Sequence, residues 1–77
     1  MRLNMESQTR LILAHLQEGR SITPLDALRL FDCFRLSARI KDLRDKGFNI
    51  VTSMETKEYE DGTKKRFARY WLKEGDT

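Results

Sequence analysis

The chain has 77 residues, of which 39% are apolar and 35% charged; this suits one small globular domain and excludes large catalytic architectures and disordered chains. No apolar run approaches the length of a membrane span, the start has no signal-peptide core, and there is a single cysteine, so we expect a cytoplasmic protein without an internal disulfide framework. The net charge is +3, and residues 35–69 hold ten Lys and Arg against six Asp and Glu, which marks this half as a candidate surface for an anionic partner.

The first predicted helix runs from about Met5 to Glu18. Ile12, Leu13 and Leu16, with Thr9, form an apolar stripe at helical spacing. Gly19 can adopt the left-handed conformation that ends a helix, so the helix should stop there.

The second helix has the clearest start signal in the chain. Thr23 is a predicted N-cap, Pro24 fits the first helical position, and Asp26 follows three residues after the cap. So short a helix is marginal alone and must be held by packing. We expect its apolar residues to make those contacts: Leu25, Ala27, Leu28, Leu30 and Phe31.

A third helix is predicted from about Arg35 to Lys46, closed by Gly47. Leu36, Ile40 and Leu43 fall within one narrow sector, which should face the core. A short turn, Asp32-Cys33-Phe34, separates it from the second helix. Two helices joined in this way indicate a helix-turn-helix.

From Phe48 the apolar period changes to two, which predicts strands at residues 50–58 and 64–72 joined at Glu60-Asp61-Gly62. A two-residue loop would turn Glu55 towards the helices, whereas a three-residue loop with Gly62 left-handed avoids this, so we favour the second. In that register one face carries Ile50, Thr52, Met54, Ala68, Tyr70 and Leu72, and the outer face carries Phe67, Arg69 and Trp71.

The order of these elements resembles a known family. The chain is similar to the small winged helix-turn-helix DNA-binding proteins often encoded by phages and prophages. The shared order is a helix, a short strand at Ser21-Ile22, a helix opening with Thr-Pro-Leu-Asp-Ala-Leu, a turn, a third helix and a hairpin. The resemblance covers about residues 5–72, within one expected domain over residues 1–77. It implies an α+β fold and a small transcriptional regulator or accessory factor. It also implies double-stranded DNA as the partner, with the third helix in the major groove and the hairpin wing on the backbone or in the minor groove.

The residues are compatible with these roles, because an Arg fork can bond two acceptors on guanine and Ser can donate or accept. Arg35 and Ser37 are the first candidates for reading bases, followed by Lys41 and Ala38. Arg39 and Arg44 are expected either to hold phosphates or to pair with acids. The wing candidates for phosphate contact are Lys57, Lys64, Lys65 and Arg66.

Each candidate also has a plainer interpretation. The third helix can be a solvated face with ion pairs such as Lys41–Asp45, and acids there would repel phosphate. Lysines on the hairpin can simply protect an exposed edge strand. Cys33 is expected to be a buried filler. No residue pattern indicates a nucleophile, a metal cluster or a nucleotide-binding loop, so we expect neither an enzyme nor a cofactor.

A single domain of this kind would read few base pairs, so we expect a homodimer or tandem binding. Phe67 and Trp71 are the candidate dimer patch, and Phe34 is an alternative anchor. The alternative function is a protein-interaction adaptor that binds no nucleic acid. In that case partner choice would be set by acids: Asp42, Asp45, Glu55 and Glu58.

Overall fold

Three helices precede an antiparallel hairpin in a computed structural model that describes the backbone of residues 4–73 and the side chains of residues 7–73. The elements are α1 (Asn4–Gln17), α2 (Pro24–Phe31), α3 (Leu36–Asp45), β1 (Ile50–Glu58) and β2 (Lys64–Leu72). The predicted α+β order is confirmed. Each end of α1 and of α3 differs from its predicted position by a single residue, and the two strands have the predicted bounds.

The start of α2 is fixed by a reciprocal pair of hydrogen bonds. The Asp26 N–H donates to Thr23 Oγ1 at 3.2 Å, and the Thr23 N–H donates to Asp26 Oδ2 at 3.1 Å. Pro24 occupies the first turn, where its missing N–H has no intrahelical partner to lose. The predicted cap is therefore present, and it supports a helix of only eight residues.

The core lies where the three helices meet the base of the hairpin. The predicted stripes of the first and third helices are confirmed, since Ile12, Leu16, Ile40 and Leu43 are each at most 2% exposed. Cys33 is buried at 2% exposure, as expected for a small filler. Ile22, Ala27, Leu36 and Ile50 complete the set of buried apolar side chains among the described residues.

The predicted packing of α2 is wrong for its leucines. Leu25, Leu28 and Leu30 are 61%, 36% and 57% exposed. Two turns of helix present one narrow stripe to the core, and that stripe is taken by Ala27, which is fully buried, and by Phe31. The Phe31 ring meets the His15 ring edge-on, with 5.7 Å between centroids, so α2 is held to α1 mainly at its C-terminal end.

The hairpin adopts the register with the three-residue loop. Ile50 pairs with Leu72 and Met54 with Ala68. The Tyr59 N–H donates to the Thr63 carbonyl at 2.8 Å, the Gly62 N–H donates to the Tyr59 carbonyl at 2.9 Å, and Gly62 has φ of +90°. The predicted left-handed glycine and the predicted register are confirmed. The predicted inner and outer faces are wrong beyond Ile50: Thr52 and Met54 are exposed, whereas Val51, Ser53 and Glu55 are half-buried, because their face turns towards the start of α2, where Arg69 meets Ser21.

One short bridge joins the helical half to the hairpin. Ile22 and Tyr70 exchange both backbone hydrogen bonds, each 2.9 Å long. The short strand predicted at Ser21-Ile22 is thus present as a bridge, and it places the start of α2 beside the free edge of β2. No helix in residues 4–73 is long and apolar enough to cross a membrane.

Candidate nucleic-acid interface

One face of α3 packs against the core, and the opposite face is exposed to solvent. Leu36, Ile40 and Leu43 are 3%, 1% and 1% exposed and anchor the helix to the core. Arg35 and Ser37 are exposed at its N-terminal end, with Ala38 half-buried and Lys41 exposed beyond them. The four predicted base-reading residues therefore lie on or beside the solvent face of one rigid helix.

Arg35 keeps its charge available. It is the N-cap of α3, and its carbonyl accepts the N–H groups of Ala38 at 3.1 Å and Arg39 at 3.3 Å. Its guanidinium makes no hydrogen bond or ion pair to any part of the chain that the structure describes. A fixed backbone with an unengaged guanidinium suits recognition of an anionic or acceptor-rich ligand.

Lys41 is engaged only weakly. Its Nζ lies 3.3 Å from Asp45 Oδ2, and the two side chains are 74% and 63% exposed. The ion pair that the plainer interpretation predicted is thus present in the structure. A solvated pair contributes roughly 0–1 kcal/mol and is easily exchanged, so Lys41 can turn to another anion at little cost.

Arg39 and Arg44 are tied into the fold. Arg39 Nε lies 3.1 Å from Asp42 Oδ2, and the Arg39 side chain is only 12% exposed. Arg44 donates from Nε and Nη2 to the Ile50 carbonyl at 3.1 and 2.6 Å, and from Nη2 to Thr52 Oγ1 at 2.8 Å. Pairing of Arg39 with an acid was one predicted alternative. The link from Arg44 to β1 was not predicted, because sequence gives no signal for a backbone carbonyl partner.

Each of the two acids on α3 lies beside a cation, although only Asp42 has a partner that is mostly buried. Asp42 meets Arg39 and Asp45 meets Lys41. Their repulsion of phosphate, which weakened the nucleic-acid interpretation at the level of sequence, is reduced by these neighbouring cations.

The wing cations divide between the two faces of the hairpin. All four are exposed. Lys57 lies directly opposite Lys65 on the face that carries Phe67 and Arg69, while Lys64 and Arg66 alternate onto the other face, where Lys64 is opposite Glu58. Lys57 Nζ also lies 5.4 Å from the centre of the Tyr59 ring. Like charges directly opposite one another destabilise a strand pair, and a bound anion would relieve that cost.

A groove of about 600 Å³ separates the first turn of α2 from the hairpin. Its wall combines the cations Lys57, Lys65 and Arg66 with apolar groups that include Leu25 and Phe67. Arg69, also in the wall, is held by Glu55 at 2.9 Å and by Ser21 Oγ at 2.9 Å. Sequence reasoning missed this groove, because only the Ile22–Tyr70 bridge brings the two walls together.

His15, the single histidine of the sequence, has a structural role. His15 Nε2 lies 2.9 Å from the Ser21 carbonyl. Within residues 7–73 no group of three or more His, Cys, Asp or Glu side chains is arranged to hold a metal ion.

Comparison with known proteins gives one match. A family model described as a winged helix-turn-helix domain matches residues 7–75. Searches of curated proteins and of solved structures found no match. The matched range spans α1 from its fourth residue onwards, α2, α3, the hairpin and every candidate contact residue.

Proposed function

The chain belongs to the winged helix-turn-helix domain family, a DNA-binding fold in general, and we propose that it binds double-stranded DNA sequence-specifically with α3 in the major groove. The observation that carries this proposal is the unengaged Arg35 guanidinium, which is exposed at the start of a helix whose opposite face is buried. An α-helix fits the major groove, and an Arg fork can bond O6 and N7 of guanine together.

The remaining α3 residues divide between reading and positioning. Ser37 and Lys41 are exposed beside Arg35 and reach base edges, while the small Ala38 permits close approach and contacts a thymine methyl group. Arg39 and Arg44 hold the helix in place. Arg44 also has an Nη1 group without a partner among the described residues, with which it can hold a phosphate.

The wing supplies phosphate contacts in this proposal. Lys57 and Lys65 face each other across the hairpin, and a phosphate between them removes their mutual repulsion. Lys64 and Arg66 extend the contact along the other face. Phosphate contacts of this kind fix orientation on the duplex and make affinity depend on salt.

A fluorescence-anisotropy titration tests the proposal, using a duplex selected by the protein from a random-sequence pool and a series of salt concentrations. We expect affinity to fall as salt rises and to be abolished by the double change Arg35→Glu and Lys41→Glu. Arg20→Glu is the matched control: Arg20 is 66% exposed and pairs with Glu18, away from α3. Salt-independent binding, or an equal loss in the control, would refute the proposal.

The adaptor remains the alternative function, but three of its four acids are occupied. Asp42, Asp45 and Glu55 each pair with a cation. An adaptor that uses the hairpin face carrying Trp71 should lose its protein partner mainly on Trp71→Ala.

The finer proposal is a small transcriptional regulator, or a phage or prophage accessory factor, acting as a homodimer. It is supported by the resemblance and by the few base pairs that one such domain can read. Trp71, which is 37% exposed, and the half-buried Phe67 form the dimer patch in this proposal. Sedimentation of the wild-type protein and of Trp71→Ala tests it, and a monomer bound to a single half-site would contradict it.

A further inference from the structure

Phe34 is an apolar side chain without a packing role. It is the last residue of the turn between α2 and α3, and at 83% it is the most exposed of the large apolar side chains described. Its neighbours Cys33 and Leu36, at 2% and 3% exposure, make the core contacts of this segment. A single exposed ring is common on a protein surface, so its meaning here depends on its place beside the candidate contact residues.

The backbone on both sides of Phe34 is fixed by hydrogen bonds. The Cys33 N–H donates to the Ala27 carbonyl at 3.1 Å, and the Arg35 carbonyl accepts two N–H groups from the first turn of α3. Phe34 therefore immediately precedes Arg35, the N-cap of α3. The Phe34 ring and the Arg35 guanidinium are thus both exposed at the N-terminal end of α3.

We propose that Phe34 strengthens binding by an apolar contact with the DNA duplex, in which the ring covers a thymine methyl group or the face of a deoxyribose next to the base pair that Arg35 reads. This inference rests on the proposed function. Arg35 reads hydrogen-bond acceptors, whereas Phe34 reads the one apolar group that the major groove displays, so the two adjacent residues would read different features.

The test compares Phe34→Ala and Phe34→Leu with the wild type on the selected duplex at several salt concentrations. We expect Phe34→Ala to weaken binding about tenfold, because most of the buried apolar surface is lost, and Phe34→Leu to keep most of the affinity. The slope of affinity against salt should not change. Lys65→Gln, at a proposed phosphate contact of the wing, should instead reduce that slope by about one phosphate contact. Leu11→Ala, at an α1 side chain that is 51% exposed, is the matched apolar control and should bind as the wild type does.

A second arm identifies the apolar group. Uracil replaces each thymine of the selected duplex in turn, which removes one methyl group and leaves the hydrogen-bonding edge unchanged. If a methyl group is the contact, one position should lose about fourfold in affinity with the wild type and nothing with Phe34→Ala. If every position binds the wild type equally while Phe34→Ala remains weak, the contact is the sugar.

Three results would overturn the inference. If the wild type binds no duplex, the proposed function falls and this inference with it. If the wild type binds and Phe34→Ala binds equally well, only this inference falls. If Phe34→Ala converts a dimer into a monomer in sedimentation, the ring is a contact between protein copies.

Discussion

Asp32 is the described non-glycine residue with a left-handed backbone, at φ 54° and ψ 31°, and it ends α2. A side chain with a Cβ is disfavoured there, and a carboxylate at the C-terminus of a helix opposes the helix dipole. We expect Asp32→Gly to raise the free energy of unfolding by about 0.5–1 kcal/mol. Urea denaturation followed by the fluorescence of Trp71, the single tryptophan, measures this.

Two further variants separate strain from charge at this position. Asp32→Asn keeps a residue that tolerates the left-handed region and removes the charge, so it should give part of the gain. Gly19→Ala, at φ of +85°, should destabilise by about 1 kcal/mol. A loss of stability in Asp32→Gly would show that the aspartate makes a stabilising interaction that outweighs its conformation.

Asp61 in the hairpin loop gives a prediction for pH. The Thr63 hydroxyl donates to its carboxylate, as does the Thr63 backbone N–H at 3.0 Å, and these bonds hold the pKa of Asp61 below its ordinary value of 3.8. Because the folded-state pKa is depressed, the contribution of Asp61 to stability is fully present above pH 3.8 and is lost as the pH falls through the folded value. NMR titration of the Asp61 carboxyl carbon measures the shift, and Thr63→Val should return the pKa towards 3.8.

Arg44 connects α3 to β1 through hydrogen bonds that neither element could make alone. Its guanidinium joins the last turn of α3 to the first residues of β1 through Ile50 and Thr52. We expect Arg44→Gln to lower the free energy of unfolding by about 1–2 kcal/mol, since charge-assisted hydrogen bonds are lost. Arg44→Lys should recover little of this, because an ammonium cannot donate in the same fork.

Lys41→Gln is the control for Arg44→Gln on the same helix. Lys41 makes only a solvated ion pair, so its replacement should change stability by less than about 0.5 kcal/mol. Equal effects of the two variants in urea denaturation would mean that the guanidinium bridge contributes nothing to stability.

Elements with local signals could be predicted from sequence. Thr23 with Asp26, and Gly62 in a three-residue loop, each express a preference that a few neighbouring residues settle, so the cap and the hairpin register were both predictable. The exposure of Leu25 was not predictable, because it depends on which narrow stripe of α2 reaches the core. Binary patterning cannot distinguish an exposed leucine from a buried one in so short a helix.

The candidate site divides in the same way. The exposed face of α3 followed from the spacing of Leu36, Ile40 and Leu43, which fixes the opposite face as outward. The partners of the cations did not follow, since Arg44 reaches a carbonyl of another element and the groove beside α2 exists only after the chain has folded. Long-range placement, rather than residue chemistry, is what the sequence left undetermined.

For the whole molecule, the two halves share a small core, and Ile22 is the residue that belongs to both. Its side chain is fully buried, and its backbone pairs with Tyr70 of β2. A domain of this length has a free energy of unfolding of roughly 4–12 kcal/mol. Loss of contacts at this single position therefore removes a large part of the free energy of unfolding.

We expect Ile22→Val to cost about 1 kcal/mol and Ile22→Ala about 2–5 kcal/mol, measured by urea denaturation with Trp71 fluorescence. Ile22→Val should bind DNA as the wild type does, because the molecule remains folded and no contact residue changes. Ile22→Ala should bind more weakly, in proportion to its unfolded fraction, with the same dependence on salt as the wild type. A changed salt dependence would mean instead that the bridge sets the orientation of the wing cations relative to α3, so that the hairpin docks differently on the duplex when Ile22 is truncated.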